Sequence, residues 1–418
     1  MTISRTAETN PKLESIVNKL SAVDSDERRW AVYNLEEFEP SQIVDYLIQA
    51  IQDENRAVRE AASEVLETLP PELCVEKLVP LLGSVRIEVR NIVAAILVRF
   101  GDDAIDGLLP ALFHENEDVR KFAADILGLA GSNRAVPGLC KAALEDDVKN
   151  VVVSAVEALG KIGSREALST LYTIFDRDKA LKLETAEAIG LIGDHEAASF
   201  LEKNLNDDNY MVVYAVIDAL GNIGNIESLK ALKENMDNVP MALKEQVCRA
   251  ILRIGRKRNV NVLNDGDADL SEMIIKCYDD QDDILTELVS YQLSLKPDYH
   301  VLKKFLENVD KLPPALIVAL INAAKNDKRL VEMICDLTDH EDDWVAYTAL
   351  ESLVNFDKQR VKDTVLKMLY EERGLPVIAA IKTSVQLKLT EAKPLLENLS
   401  NCENEDIRGA AIQAINEL

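Results

Sequence analysis

Lys149 to Gly163 read KNVVVSAVEALGKIG, and three other stretches repeat that reading: Asn116 to Gly131 (NEDVRKFAADILGLAG), Lys179 to Gly193 (KALKLETAEAIGLIG) and Tyr210 to Gly224 (YMVVYAVIDALGNIG). With Val119, Val151, Leu181 and Val212 as position zero, apolar or small residues recur at zero, plus four, plus seven and plus eight. That is the buried stripe of an α-helix and not the alternation of a strand. Position plus five is also small or apolar, at Ala94, Ala124, Val156, Ala186 and Ile217, so the stripe is wide enough to meet a partner helix and the neighbouring units together. Each stretch ends in paired glycines: Gly128 and Gly131, Gly160 and Gly163, Gly190 and Gly193, Gly221 and Gly224. The second glycine is suited to the left-handed stop of a helix and the first to close approach of helices. Phosphate-cradling loops open helices, whereas these glycines close them.

The register extends through Glu27, Val58, Val89, Val119, Val151, Leu181, Val212, Leu243, Leu285, Leu316, Val345, Val377 and Ile407. Spacings stay near 31 residues except between Leu243 and Leu285, where about eleven are added. The expectation is an all-α fold, a right-handed α-α superhelix of about thirteen two-helix repeats. Residues 1–10 read as a flexible N-terminus, 11–255 as a first array of about eight repeats, and 256–271 as an irregular insertion or linker. Residues 272–418 read as a more degenerate array of about five, in which Pro313 and Pro314 open a helix.

Position plus one carries Arg28, Arg59, Arg90, Arg120, Lys182, Lys244 and Arg408, with acids such as Asp53, Asp118, Asp146, Asp147, Asp207, Asp208 and Asp406 nearby in the turns. Acids complement the mouth of a helix, and a basic side chain one residue past the landmark can reach the acid of an adjacent unit, so these residues read as an architectural ladder. The acidic turn, Val-Arg, and then Ala-x-x-x-Leu-Gly-x-Ile-Gly resemble HEAT repeats, in particular the short HEAT-like class named after phycobilisome lyases. The resemblance is strong from Asp53 to Gly255 and looser from Leu285 to Leu418. It implies a solenoid. For function it implies a range that spans scaffolds, adaptors, chromophore lyase subunits and a few enzymes.

Composition narrows that range. The 418 residues include 73 acidic and 47 basic ones, a net charge of −26 spread over both halves, which repels phosphate backbones and anionic lipid. The basic cluster Arg253, Arg256, Lys257 and Arg258 reads as the cation-rich end of a helix. Cysteines 74, 140, 248, 277, 335 and 402 stand far apart without a CxxC pair, as expected of reduced, mostly buried thiols in a cytoplasmic protein. The N-terminus has no apolar h-region and no run of 18 apolar residues occurs, so neither secretion nor membrane insertion is expected.

Catalytic signatures are weak. Asp265, Asp267 and Asp269 invite a calcium loop, but Leu270 and Lys276 stand where glycine and glutamate belong. The dyads His114-Glu115, His195-Glu196 and His340-Glu341 resemble the iron ligands of HEAT-like deoxyhypusine hydroxylases. In that family the dyads follow the Val-Arg landmark; here Lys121-Phe122, Val153-Ser154 and Leu183-Glu184 hold those positions and the dyads fall in turns. No nucleophile triad appears, so we expect no enzyme activity, no metal and no cofactor.

Positions plus two and plus six point away from the stripe and line one face of the second helices, the groove of such an array. Plus six runs Glu64, Ala95, Asp125, Glu157, Glu187 and Asp218; plus two runs Glu60, Asn91, Lys121, Val153, Leu183 and Tyr214. Val153, Leu183 and Tyr214 then form an apolar strip bordered by Glu157, Glu187 and Asp218, with Asp125 and Phe122 of the preceding unit extending the site. Such a face fits a protein segment with apolar anchors flanked by Lys or Arg, and no nucleic acid or membrane. The expected function is a non-enzymatic scaffold or adaptor. The alternative is a subunit of a bilin lyase, and a metal-dependent oxygenase ranks third.

Overall fold

In the computed structural model, which describes residues 10–236, 238–264, 270–278, 282–371 and 373–418, thirteen helix pairs follow one another. They run from Pro11–Lys19 with Ser25–Asn34 to Lys393–Leu399 with Glu405–Glu417, and no strand occurs among the described residues. The fold is all-α. The calcium-loop aspartates at 265, 267 and 269, and residues 1–9 of the N-terminal stretch, lie outside the described residues. The chain divides into two compact units, Met1–Ala219 and Leu220–Leu418.

In the first unit the second helices of successive pairs include α1 (Ile87–Phe100), α2 (Glu117–Ala130), α3 (Lys149–Ile162) and α4 (Lys182–Ile192); α5 (Tyr210–Ile223) begins there. Several start where a short polar side chain takes up an orphan backbone N–H or an acid complements the helix dipole. Asn55 and Asn116, for instance, accept from the backbone N–H two residues on at 2.8 Å. The stripe is buried as the periodicity requires: Val151, Ala155, Val156, Ala158 and Leu159 of α3 are all at most 1% exposed. Each such leucine or valine side chain withdrawn from water contributes about 1.5–3 kcal/mol.

The glycine pairs divide two tasks. Gly131, Gly163 and Gly193 end α2, α3 and α4 at φ of 70, 75 and 68°, a conformation that costs other L-residues about 1–2 kcal/mol. Gly160, one turn earlier, lies against the next second helix: a Cβ added to it would stand 2.8 Å from Ala188 Cα. Gly128 and Gly190 meet Ala158 and Ala219 in the same way, at 2.7 and 2.8 Å from Cα.

Ion-pair rungs tie unit to unit. Arg28 Nε and Nη2 donate to the two carboxylate oxygens of Asp53 at 2.7 and 2.9 Å, and Arg120 donates to Asp146 at 2.6 and 3.1 Å. Lys182 reaches Asp207 at 2.5 Å. The spare guanidinium nitrogens of Arg28 and Arg120 satisfy carbonyls of their own turns, those of Ala22 and Val23 and of His114 and Glu115. At Arg28, Arg120 and Lys182 the basic ladder is therefore structural.

In the second unit, α6 (Met241–Arg258) ends at Asn259 in the left-handed conformation, and its basic cluster is spent on structure. Arg253 donates to Asn222 Oδ1 at 2.9 Å, Arg258 to the Gly224 carbonyl at 2.6 Å, Lys257 to the Asn222 carbonyl, and Arg256 pairs with Glu287 at 2.8 Å. The described part of the following insertion is pinned to α7 (Asp283–Ser294). Val262 N–H donates to the buried Gln292 Oε1 at 2.9 Å, Tyr291 OH to Asn259 Oδ1 at 2.9 Å, and Val262 and Leu263 are buried. Pro314 opens Pro314–Ala324, where a missing N–H goes unneeded.

Candidate functional site

The side chains at plus six of consecutive units are neighbours in space. Tyr33, at plus six of the first unit, donates its hydroxyl to Glu64 Oε2, at plus six of the second, at 2.7 Å. Glu157 and Glu187 are exposed on the same face, Asp125 and Asp218 are half-buried, and Tyr214 is 43% exposed. Val153 and Leu183 are half-buried, because helices in backbone contact leave little room between plus-two side chains. The strip is thus a shallow apolar floor that ends in an open tyrosine ring.

Electrostatics distinguishes the row. Lys121 pairs with Asp125 at 2.8 Å and Lys161 stands 3.7 Å from Glu157, both within one helix. Exposed pairs of this kind are worth a few tenths of a kcal/mol and yield to a competing cation. Glu187 has no ion pair among the described residues. Burial, and then the charges of Glu184, Glu157 and Asp218, hold its carboxyl above the ordinary glutamate range. A raised carboxyl pKa disfavours the native state once pH exceeds the unfolded value, and the penalty is complete above the folded one. Glu187→Gln is therefore expected to raise stability slightly at neutral pH, by about 0.5 kcal/mol or less as for other surface changes, read as a small rise in the thermal midpoint. The gain should vanish at pH 3; a midpoint lowered at pH 7 would mean that Glu187 is structurally satisfied.

Four neighbours of the face escaped the sequence reading. Tyr210 and Met211, 63% and 43% exposed, open α5 beside Tyr214 and lengthen its apolar surface; Leu129 and Leu191, 62% and 61% exposed, stand one turn beyond Asp125 and Glu187. A helical wheel carried one turn past the landmark in each direction would have found Tyr210, Leu129 and Leu191, since minus two and plus ten share the face of plus two and plus six, and Met211 at minus one borders it. Phe122 is half-buried beside the plus-two residue Lys121. Its ring packs 5.7 Å from the Arg90 guanidinium and 5.3 Å from Lys121 Nζ, at the joint between α1 and α2.

The histidine dyads have local roles. His114 Nδ1 and His340 Nδ1 each accept the backbone N–H two residues on, at 3.0 Å, closing the turn before a second helix. His195 is a solvated side chain at the start of a short 3-10 turn. Among the described residues no cluster of three or more His, Cys, Asp or Glu could hold a metal ion, and no helix is long and apolar enough to cross a membrane. Cys74 is buried, and burial pushes its thiol up to about 11, away from nucleophilic use.

No characterised protein matches the chain by sequence. Among solved structures, one described as "Kap95p Binding Induces the Switch Loops of RanGDP to adopt the GTP-bound Conformation" aligns at 15% identity over 99% of this chain and 68% of that one, with a TM-score of 0.56. A structure of Kap121p aligns at 15% identity over 98% of this chain and 48% of its own, with a TM-score of 0.48. At such identity the first likeness concerns the fold alone. The family description "HEAT repeats" matches residues 13–97, 75–160, 105–180, 171–252 and 331–416, well over half of the chain. The helix pairs, glycine contacts and ion-pair rungs are the physical content of that match, and the chain belongs to the HEAT-repeat family.

Proposed function

We propose that this protein is a non-enzymatic scaffold or adaptor that captures a protein segment on the acidic and apolar face of its second helices, in the first array. The carrying observation is the row Asp125, Glu157, Glu187 and Asp218 set beside Val153, Leu183 and Tyr214, with Glu157, Glu187 and Tyr214 exposed. The partner is a segment with apolar anchors flanked by Lys or Arg, and free thiols fit a reducing, cytoplasmic setting. The half-burial of Val153 and Leu183 directs mutagenesis to the exposed groups.

Glu157→Lys, Glu187→Lys, Tyr214→Ala in one chain should keep the helical circular dichroism of the wild type. From a lysate of the protein's own source it should retain one partner at least about tenfold less, the equivalent of about 1.4 kcal/mol. Equal retention by both proteins sinks the proposal. The resemblance to phycobilisome-lyase repeats supports a bilin lyase subunit through the landmark spacing alone. A visible absorption band carried through purification would favour that reading over the adaptor.

A further inference from the structure

The geometry of the same face constrains the conformation of its occupant, and this inference rests on the reading just given. Packed helices stand about 8–10 Å apart, and glycine-to-alanine backbone contacts put these toward the short end. Tyr33 and Glu64 join the plus-six positions of the first two repeats by a hydrogen bond, and in the acidic row Glu187 feels the charges of Glu157 and Asp218 on either side. A ligand crossing the units must therefore present a cation roughly every 8–10 Å to Asp125, Glu157, Glu187 and Asp218.

Two requirements then select one backbone. The first is pitch. Seven residues of an α-helix, the smallest step that brings a side chain back to one face near this distance, advance about 10.5 Å, and the mismatch grows at every unit. Three residues of polyproline II advance about 9.3 Å, the nearer match to that spacing, and return to the same face. The second requirement is that two rows be addressed together, the acids at plus six and the apolar floor of Val153, Leu183 and Tyr214 one helical turn away. A β-strand sends alternate side chains to opposite sides, so it can serve one row only. The three-sided section of polyproline II gives one side to the acids, the adjacent side to the apolar floor and the third to water.

We propose that the occupant is an extended, polyproline-II segment with Lys or Arg at every third position and an apolar residue beside each. The net charge of −26 favours any cationic peptide, so spacing is tested at constant composition and physiological ionic strength.

Fluorescein-labelled peptides of five Lys-Leu-Pro triplets, a scramble of the same fifteen residues, and a helical peptide with Lys at every seventh position would be titrated into the full chain by fluorescence anisotropy. The triplet peptide should bind at least tenfold tighter than either other peptide, and Glu157→Lys, Glu187→Lys should erase that advantage. Equal binding of triplet and scramble, both lost in the variant, overturns the spacing inference and leaves the acidic face as the site. Tightest binding of the helical peptide, lost in the variant, does the same. Binding of all peptides unchanged in the variant overturns both readings. No binding by any peptide overturns the spacing inference, and the adaptor reading then stands or falls with the lysate experiment.

Discussion

Gly160→Ala lowers stability, although the same substitution in an open helix interior raises it. Alanine in place of glycine favours a helix by about 1 kcal/mol, so without a tertiary contact the variant would be the more stable protein. Here the added methyl meets Ala188 Cα at 2.8 Å, its Cβ at 3.0 Å and its carbonyl oxygen at 3.3 Å. The obstacle is backbone, which no rotamer change can move, so α3 and α4 must separate and loosen the contacts of Val156 and Ile189. Overpacking of this kind costs about 1–3 kcal/mol and overrides the propensity gain, and Gly160→Leu costs more. Gly163→Ala meets nothing within 4 Å and loses only the left-handed stop, about 1–2 kcal/mol. Urea unfolding followed at 222 nm would rank the variants; a stabilised Gly160→Ala would mean that the helices are not in backbone contact.

The same glycines explain how far the sequence could be read. Where they occur, the repeat is legible at sight, because both a left-handed stop and a backbone contact admit only glycine cheaply. Beyond α5 the left-handed stop persists without the paired glycines. Asn259, Lys296 and Lys388 take φ of 53, 55 and 51° after their helices, so the stop is kept by residues whose identity does not announce it. The later repeats therefore look degenerate while pairing as the earlier ones do. For the candidate face, periodicity gave direction but not depth. Val153 and Leu183 point toward the groove yet are half-buried, since the glycine contacts upstream of the motif end decide how closely their helices stand. Tyr210 and Met211 were missed because they precede the landmark, where a turn was expected and α5 had already begun.

Arg28→Ala should destabilise the first unit by about 3 kcal/mol at neutral pH, and the loss should shrink in acid. The side chains of Arg28 and Asp53 are 9% and 13% exposed, and their two-pronged pairing leaves neither charge alone. Removing the guanidinium strands a carboxylate held otherwise by the Asn55 N–H at 2.8 Å, and also abandons the Ala22 and Val23 carbonyls. Breaking a buried pair from one side costs about 3–5 kcal/mol. A cavity of about 310 Å³ lined by Leu20, Tyr46, Gln49 and Asp53 admits water, which places this rung at the lower end. Burial pushes Asp53 upward, but the Arg28 and Asn55 hydrogen bonds and the charges of Arg28 and Arg59 outweigh it, so its carboxyl sits below the ordinary range. A depressed carboxylate contributes fully above its unfolded pKa of about 3.9 and is lost as pH falls through the folded value. With Arg28 gone, burial is opposed only by the Asn55 contact and the Arg59 charge, and Asp53 titrates higher. The stability gap between wild type and Arg28→Ala should therefore be widest at neutral pH and narrow in acid as the stranded carboxylate takes up a proton, while the gap for Asp53→Asn, which has no carboxylate to relieve, should narrow only below the unfolded value of about 3.9. Equal stability of wild type and Arg28→Ala in urea at neutral pH would mean that the rung is a solvent-screened surface pair, and the ladder would then be no part of what joins one repeat to the next.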